Sequence, residues 1–335
     1  MMQHNSYQRR QHGVALIMAI LVVALATIIA VSVATDSYMD QRRTSTALLV
    51  DQAYEVALGG EAEAAAVLEQ DQQDRTGQQF DATYEKWAQP VVLPIEDFGE
   101  LRGNIEDLQG RFNLNNLVNT TGVADPEYLA QFTDLLERVG VDTRWAGIIS
   151  DWIDGDNQAG FPNGAEDSVY AQRTPGYLTA NRPILHTSEL LSMVDSYGKA
   201  FGRDNYNKLE PFITALPIDT PLNVCTASPE ILDSLTGDPS YTDFSSASGR
   251  ATLIENRKGA CFPKITDVRA AFQTKQKGFD ALMLKHGAYL AEKSKYFRTN
   301  IFVTLGTTEF AMYSVLQRTG NGQKVHVISR SFGSP

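Results

Sequence analysis

Gln11-His12-Gly13-Val14-Ala15-Leu16 is the stretch on which the reading of this chain turns. Ahead of Gly13 the sequence is short and polar, with Arg9 and Arg10 close to the junction. Behind it, residues 14–34 are apolar apart from Thr27 and Ser32 and carry no charge. A run of that length is about what a helix needs to cross a bilayer. The arginines before it, and Asp36 and Asp40 after it, orient the span with its start inside and the remainder outside.

Two processing routes are open to such an N-terminus. A secretory signal would have an apolar core of about 7–15 residues and a small-residue cleavage site. Ser32-Val33-Ala34 satisfies the small-x-small rule, but the apolar core is too long and the helical pattern runs through the cut. The other route cuts between Gly13 and Val14 and leaves the apolar helix on the mature chain. A charged leader, a Gly and an uninterrupted apolar helix resemble the N-terminus of type IV prepilins and type II secretion pseudopilins. The resemblance implies a prepilin leader over 1–13, prepilin peptidase cleavage and N-methylation. Pilin-like subunits usually carry Glu five residues into the mature chain, where this sequence has Met18. In that family the carboxylate is thought to neutralise the terminal amine of a neighbour, and a charge at that depth is expensive unless paired. A subunit with nobody ahead of it has no use for the Glu, so Met18 points to a filament tip. A plain single-pass anchor, with Met18 merely apolar, is the simpler alternative.

Composition suits an exported body. The chain has 335 residues and a formal charge of −11, and a prior of two domains is fair at that length. A leader containing Arg9 and Arg10 and no carboxylate takes the side-chain sum to −13 when removed. That acidity argues against nucleic acid as a partner, since phosphate binding needs clustered Lys and Arg. The two cysteines, Cys225 and Cys261, lack the paired spacing of a zinc site. In an oxidising compartment an even count invites a bridge, worth roughly 3–4 kcal/mol in the chain-entropy picture. Two buried free thiols are the alternative.

After the span (14–34), residues 35–70 continue in helical fashion, with Leu48, Leu49, Ala53, Val56, Ala57, Ala64, Val67 and Leu68 near helical spacing. One helix from residue 14 to about 69 would be roughly 80 Å long, with a weak spot at Gly59-Gly60 where it could bend. An anchor followed by a helical spacer fits the same periodicity. Residues 71–94, punctuated by Pro90 and Pro94, read as a loop entering a small sheet, and 99–107 as a strand. Residues 126–139 form an amphipathic pattern with Asp125 as N-cap, and 143–153, 187–194 and 229–235 read as further helices. Residues 236–259 read as a long turn interrupted by a helix near 251–256, and 264–273 and 278–286 as two more helices. At the C-terminus, 296–305, 309–318 and 324–331 are rich in β-branched and aromatic residues. Turns at Gly306-Thr307-Thr308 and Gly320-Asn321-Gly322 separate them into a meander.

The densest chemistry is Asp151-Trp152-Ile153-Asp154-Gly155-Asp156-Asn157, followed by Gly164-Ala165-Glu166-Asp167 and Tyr170. Five carboxylates in fewer than twenty residues repel one another unless a positive charge sits among them. Hard oxygen donors on Gly and Asn turns suit calcium, which takes about 6–8 oxygens in forgiving geometry. The EF-hand template fails, because counting from Asp154 puts Ala159 at its glycine and Ala165 at its terminal Glu. A solvated acidic loop whose aspartates cap turns is the alternative, and the carboxylate count favours a site. Catalytic signals are poor. His4, His12, His186, His286 and His326 are scattered, and there is no Gly-x-Ser-x-Gly elbow, His-Glu-x-x-His or phosphate loop.

Asp-Trp-Ile-Asp-x-Asp with Gly-Ala-Glu-Asp-x-x-Tyr, joined to the Asn113-Leu114-Asn115-Asn116 junction, resembles the general secretion pathway protein K family over nearly the whole chain. The resemblance implies an α+β, pilin-like fold: a long N-terminal helix on an antiparallel sheet, with a large inserted all-α domain. It assigns 71–112 and 289–335 to the pilin-like part and 113–288 to the insert. The Asn223-x-Cys225-x-Ala227 segment resembles the opening of SAM-like and helix-hairpin-helix modules, with Cys225 in place of an Asn. The resemblance carries Asp151, Asp154, Asp156, Glu166 and Asp167 over as candidate Ca2+ ligands. It implies a minor pseudopilin of the type II secretion system, a tip subunit that primes and caps the periplasmic pseudopilus, with no enzymatic role. Implied partners are the I and J minor pseudopilins, then H, the major pseudopilin, prepilin peptidase, the inner-membrane secretion platform and secreted cargo. The implied location is the inner membrane, single-pass, with the body in the periplasm. Two other readings stand beside it: a minor pilin of a type IV pilus or DNA-uptake system, and a membrane-anchored, calcium-dependent periplasmic hydrolase.

Overall fold

A computed structural model describes residues 12–74, 79–95, 99–160, 162–235, 243–268, 289–320 and 324–334. Residues 1–11 of the expected leader, the second helix expected over 278–286, parts of 236–259 and 264–273, and the Asn321-Gly322 tip of the last turn lie outside them.

Helix α1 (His12–Asp71) is continuous over 60 residues, about 90 Å. Among the described residues nothing packs on its first half: residues 13–48 are exposed, the apolar run included. Packing begins at Leu49, and Ala53, Ala57 and Leu68 are fully buried against the sheet. The Gly59-Gly60 pair does not end the helix. A Cβ on Gly60 would lie 2.9 Å from Leu101 Cδ1, so this glycine lets helix and sheet approach closely.

The sheet is formed by β1 (Val91–Ile95), β2 (Gly99–Asp107) and, far along the chain, β7 (Tyr296–Leu305), β8 (Thr308–Thr319) and β9 (Lys324–Phe332). Their order is β1-β2-β7-β8-β9, antiparallel throughout. The Pro90–Pro94 stretch thus holds an edge strand as well as a loop, which is where a residue without an N–H is tolerated. Leu101, Ile301, Val303 and Met312 face α1, and Trp87 stacks edge-on to Phe297 at 5.2 Å nearer its end.

Everything between β2 and β7 is an insert that leaves and returns at neighbouring points, because Asp107 pairs with Phe297 in the ladder. In chain order it holds β3 (Phe112–Asn113), α2 (Pro126–Arg138), α3 (Trp145–Ile153), α4 (Asp167–Tyr170) and α5 (Gly202–Leu209). It continues through β4 (Ile213–Thr214), β5 (Leu222–Asn223), α6 (Pro229–Ser234), α7 (Ala247–Asn256) and β6 (Leu290–Ala291). Among the described residues its regular elements are helical apart from two parallel two-residue pairings, β3 with β4 and β5 with β6, and two isolated bridges. The segment expected as a helix over 187–194 is a 3-10 turn, Thr187–Ser192. Asp125 caps α2 by accepting from Glu127 and Tyr128 N–H groups. The largest core lies here, around Phe132, Leu135, Ile148, Ile149, Tyr170 and Phe201.

The Asn113-Leu114-Asn115-Asn116 run is a ladder of buried amides. Asn113 Oδ1 accepts from Leu216 N–H at 2.9 Å, and Asn115 joins the Ile184 N–H at 2.7 Å and the Ile184 and Leu216 carbonyls. Asn116 donates to Thr220 O and accepts from Asp219 N–H, both at 3.0 Å. Three side chains thereby fix a loop about a hundred residues away, which is why polar residues occupy an otherwise apolar junction.

Arg318 of β8 ties α1 to the sheet. Its guanidinium pairs with Asp81, with Asp71 at 2.6 Å and with Leu68 O at 3.2 Å, and lies 4.5 Å over the Phe297 ring. Replacing Arg318 with Leu leaves two carboxylates facing each other in a buried place. Urea unfolding followed by tryptophan fluorescence should show a loss of about 3–5 kcal/mol. A loss under about 1 kcal/mol would mean that apolar packing alone seats the helix.

Candidate metal centre

Helix α3 is apolar enough to bury nearly all of itself, and Asp151 is carried in with Ile149, Trp152 and Ile153. The helix stops where Asp154 adopts an extended backbone, its N–H still closing on Ser150 O at 2.9 Å. Two carboxylates therefore sit at the end of a helix where free carbonyls and the dipole already present negative charge. The chain then doubles back. Gly160 N–H donates to Asp151 Oδ2 at 2.9 Å, and Gly164 N–H donates to Gly160 O at 2.7 Å. A Cβ on Gly164 would lie 2.2 Å from Asp151 Oδ2 and one on Gly160 2.8 Å from Oδ1, so both glycines are needed to wrap the carboxylate. Glu166, extended just ahead of α4, brings its side chain in from the far side.

Asp151, Asp154 and Glu166 converge: each offers an oxygen, and these oxygens lie within 4.8 Å of one another. All three residues are buried, at 3, 7 and 2 % exposure. Burial first, and the neighbouring carboxylates with it, push Asp151 and Asp154 up to about 6 and Glu166 up to about 7. Glu166 Oε1 is buried with no hydrogen-bond partner. Among the described residues no Lys, Arg or His pairs with any of the three. Oxygens at that separation, one of them orphaned, match the span across a shared divalent cation.

The other two carboxylates are placed differently. Asp156 Oδ1 accepts from Gln158 N–H at 2.7 Å, and Asp167 Oδ1 accepts from Thr179 N–H and Oγ1 at 2.9 and 2.7 Å. Both lie outside the converging trio and brace the loop that forms it. Two residues not singled out in sequence complete the surroundings. Thr179 Oγ1 stands 3.2 Å from Glu166 Oε2. Asn181, held at φ 44, donates to Asp156 O and Asn157 Oδ1 while its own Oδ1 is buried without a partner. Left-handed backbone suits Asn, but nothing local in Asn181-Arg182-Pro183 ties it to a loop some 25 residues earlier.

In a second acidic trio, Asp71, Asp81 and Glu85 also bring an oxygen each within 4.8 Å of one another. There Arg318 supplies the positive charge, so that group is closed on itself. The first trio differs in having no Lys, Arg or His partner among the described residues.

The remaining candidates are simply placed. Gly13 lies in α1, Val14 and Met18 are 59 and 65 % exposed on it, and Cys225 and Cys261 form a disulfide. Asn223, at the helix-hairpin-helix-like segment, is fully buried and donates to Asp81 O, Asp107 Oδ2 and Ser294 Oγ. It serves as a joint between the insert and the pilin-like part.

Without metal, the trio binds protons more tightly folded than unfolded, so stability should fall as pH rises from about 4 to about 7. In chelator-treated protein, Glu166→Gln should remove roughly 2 kcal/mol of that fall, read as a smaller drop in thermal midpoint between pH 5 and pH 8. An unchanged drop would place the titrating charge elsewhere.

Comparison with known proteins agrees with this architecture. The family model described as type II secretion system protein K matches residues 110–218, which contain the acidic loop. The type II secretion system protein K of Pseudomonas aeruginosa is 35 % identical, covering 97 % of this chain and 94 % of that one. Its counterpart in Klebsiella pneumoniae is 32 % identical, covering 97 % of each chain. A chain in the crystal structure of the GspK-GspI-GspJ complex from enterotoxigenic Escherichia coli superposes with a TM-score of 0.72 at 23 % identity. It is covered in full by 88 % of this chain. Near-full-length identity above 30 %, with the fold built as a helix, a sheet and one insert, leaves one conclusion: this chain belongs to the type II secretion system protein K family.

Proposed function

We propose that the protein is the tip subunit of a periplasmic pseudopilus, a minor pseudopilin that primes and caps the filament and has no catalytic role. The observation that carries this is helix α1, exposed through residues 13–48 and packed on its own sheet from Leu49 onward. The apolar half is long enough to span a bilayer, which supports a single-pass inner-membrane anchor with the body in the periplasm. The GspK-GspI-GspJ complex is the basis for proposing the I and J minor pseudopilins as partners along this helix. Met18, apolar where filament subunits below it would carry Glu, fits a subunit with no neighbour above, and the bulky insert would block further addition.

The insert is proposed to hold calcium on Asp151, Asp154 and Glu166. A bound cation would offset the helix end and the three facing carboxylates, and so hold the loop that Asp167, Thr179 and Asn181 brace.

Two measurements test these readings. The intact mass of protein from membranes of its native host should correspond to a chain starting at Val14 and bearing one extra methyl group. A start at Thr35 would instead mean that a secretory signal had been removed, and the filament reading would fall. Calcium in the millimolar range should raise the thermal midpoint more at pH 8 than at pH 5, by several degrees, and Glu166→Gln should abolish most of the gain. Equal stabilisation of wild type and variant would remove the trio as the calcium site.

A further inference from the structure

Arg257 differs from the other poorly exposed arginines of this chain. Arg111, Arg138, Arg144, Arg298 and Arg318 each pair with at least one carboxylate. Arg257, at the end of α7, meets only carbonyls among the described residues: Nε donates to Phe262 O at 2.7 Å, and Nη2 to Val224 O at 3.0 Å and Ala227 O at 2.8 Å. These carbonyls flank both disulfide cysteines, so the side chain fastens that loop. Carbonyl dipoles satisfy N–H groups but do not cancel a net charge. Burial pushes the guanidinium down to about 10, and it stays protonated at neutral pH. Its Nη1 makes no hydrogen bond among the described residues.

Arg257 lines a pocket of about 460 Å³ whose other walls include Tyr84, Pro229, Leu253 and Ile254. That volume falls within the usual range of small-molecule sites, roughly 300–1,000 Å³, which combine apolar walls with a few placed polar groups. Ile254 is 66 % exposed on α7. The two other cations on the pocket wall are already matched, Arg250 by Glu230 and Lys258 by Glu255 at 2.6 Å. Among the described residues, one positive charge on the pocket wall therefore remains without a carboxylate, beside an apolar wall.

We propose that this pocket binds a small organic carboxylate with an apolar body, its carboxylate on Arg257 and its hydrocarbon along Leu253 and Ile254. An inorganic anion would leave the apolar wall in water. A neutral apolar molecule would leave the guanidinium without a counter-charge. A dianion would overshoot the single charge available. Because Tyr84 precedes β1 while α7 belongs to the insert, an occupant would touch both parts of the molecule.

The test uses the full chain in lipid nanodiscs, with empty discs as blank and sodium hexanoate, hexanol and hexylammonium as probes in titration calorimetry. Hexanoate should bind at least about tenfold more tightly than hexanol, and hexylammonium should give no signal. Ile254→Glu, a change at an exposed position, should keep the thermal midpoint and weaken hexanoate by about tenfold or more. Equal binding of hexanoate and hexanol, or full hexanoate binding by Ile254→Glu, would overturn the proposal.

Discussion

One buried carboxylate holds the two parts of this molecule in register. Asp107 is the last residue of β2, at the point where the insert leaves the sheet, and its side chain accepts from four donors. Gln109 N–H meets Oδ1 at 2.8 Å, while Asn223 Nδ2, Thr226 Oγ1 and Ser294 Oγ meet Oδ2 at 2.9, 2.6 and 2.6 Å. Those donors come from the start, middle and end of the excursion between β2 and β7. Burial raises the carboxyl to about 6, and four donors hold it ionised at neutral pH. A long insert between neighbouring strands costs loop-closure entropy, and polar contacts that tolerate only one geometry select the closed arrangement.

The same economy of charge explains the two acidic trios. In one, Arg318 provides the cation and the result is a permanent link between α1 and the sheet. In the other, Asp151, Asp154 and Glu166 face each other, and among the described residues no Lys, Arg or His pairs with them, so their mutual repulsion is left for protons or a cation from solution to relieve. A permanent pair suits a helix that must stay seated on its sheet, because it needs nothing from solution.

Helix α1 links fold to role by being only half used. Alanines and Gly60 let its second half approach the sheet, and Glu61 is clamped by Arg330 through two contacts of 2.7 Å and by Ser314. Among the described residues nothing packs on the first half, and an apolar surface of that length is stable only in lipid or against other helices.

The local patterns of this protein were legible in its sequence: the apolar span, strand β2, helices α2 and α3, the three C-terminal strands and the clustered carboxylates. Each depends on periodicity, capping or spacing within a few residues. What lay beyond that reach was decided by the tertiary structure. Strand β1 hid behind two prolines, since an edge strand does not need every N–H. Gly59-Gly60 read as a bend because a distant Leu101 could not be seen. Asp156 and Asp167 looked equal to Asp151, Asp154 and Glu166 because carboxylate type is local. Which oxygens converge, and which are spent on Gln158 and Thr179, depends on the path of a loop returning through Gly160 and Gly164. Asn181, Arg318 and the charge on Arg257 stayed invisible for the same reason: partners 25 to 250 residues away are chosen by the packing of the whole chain.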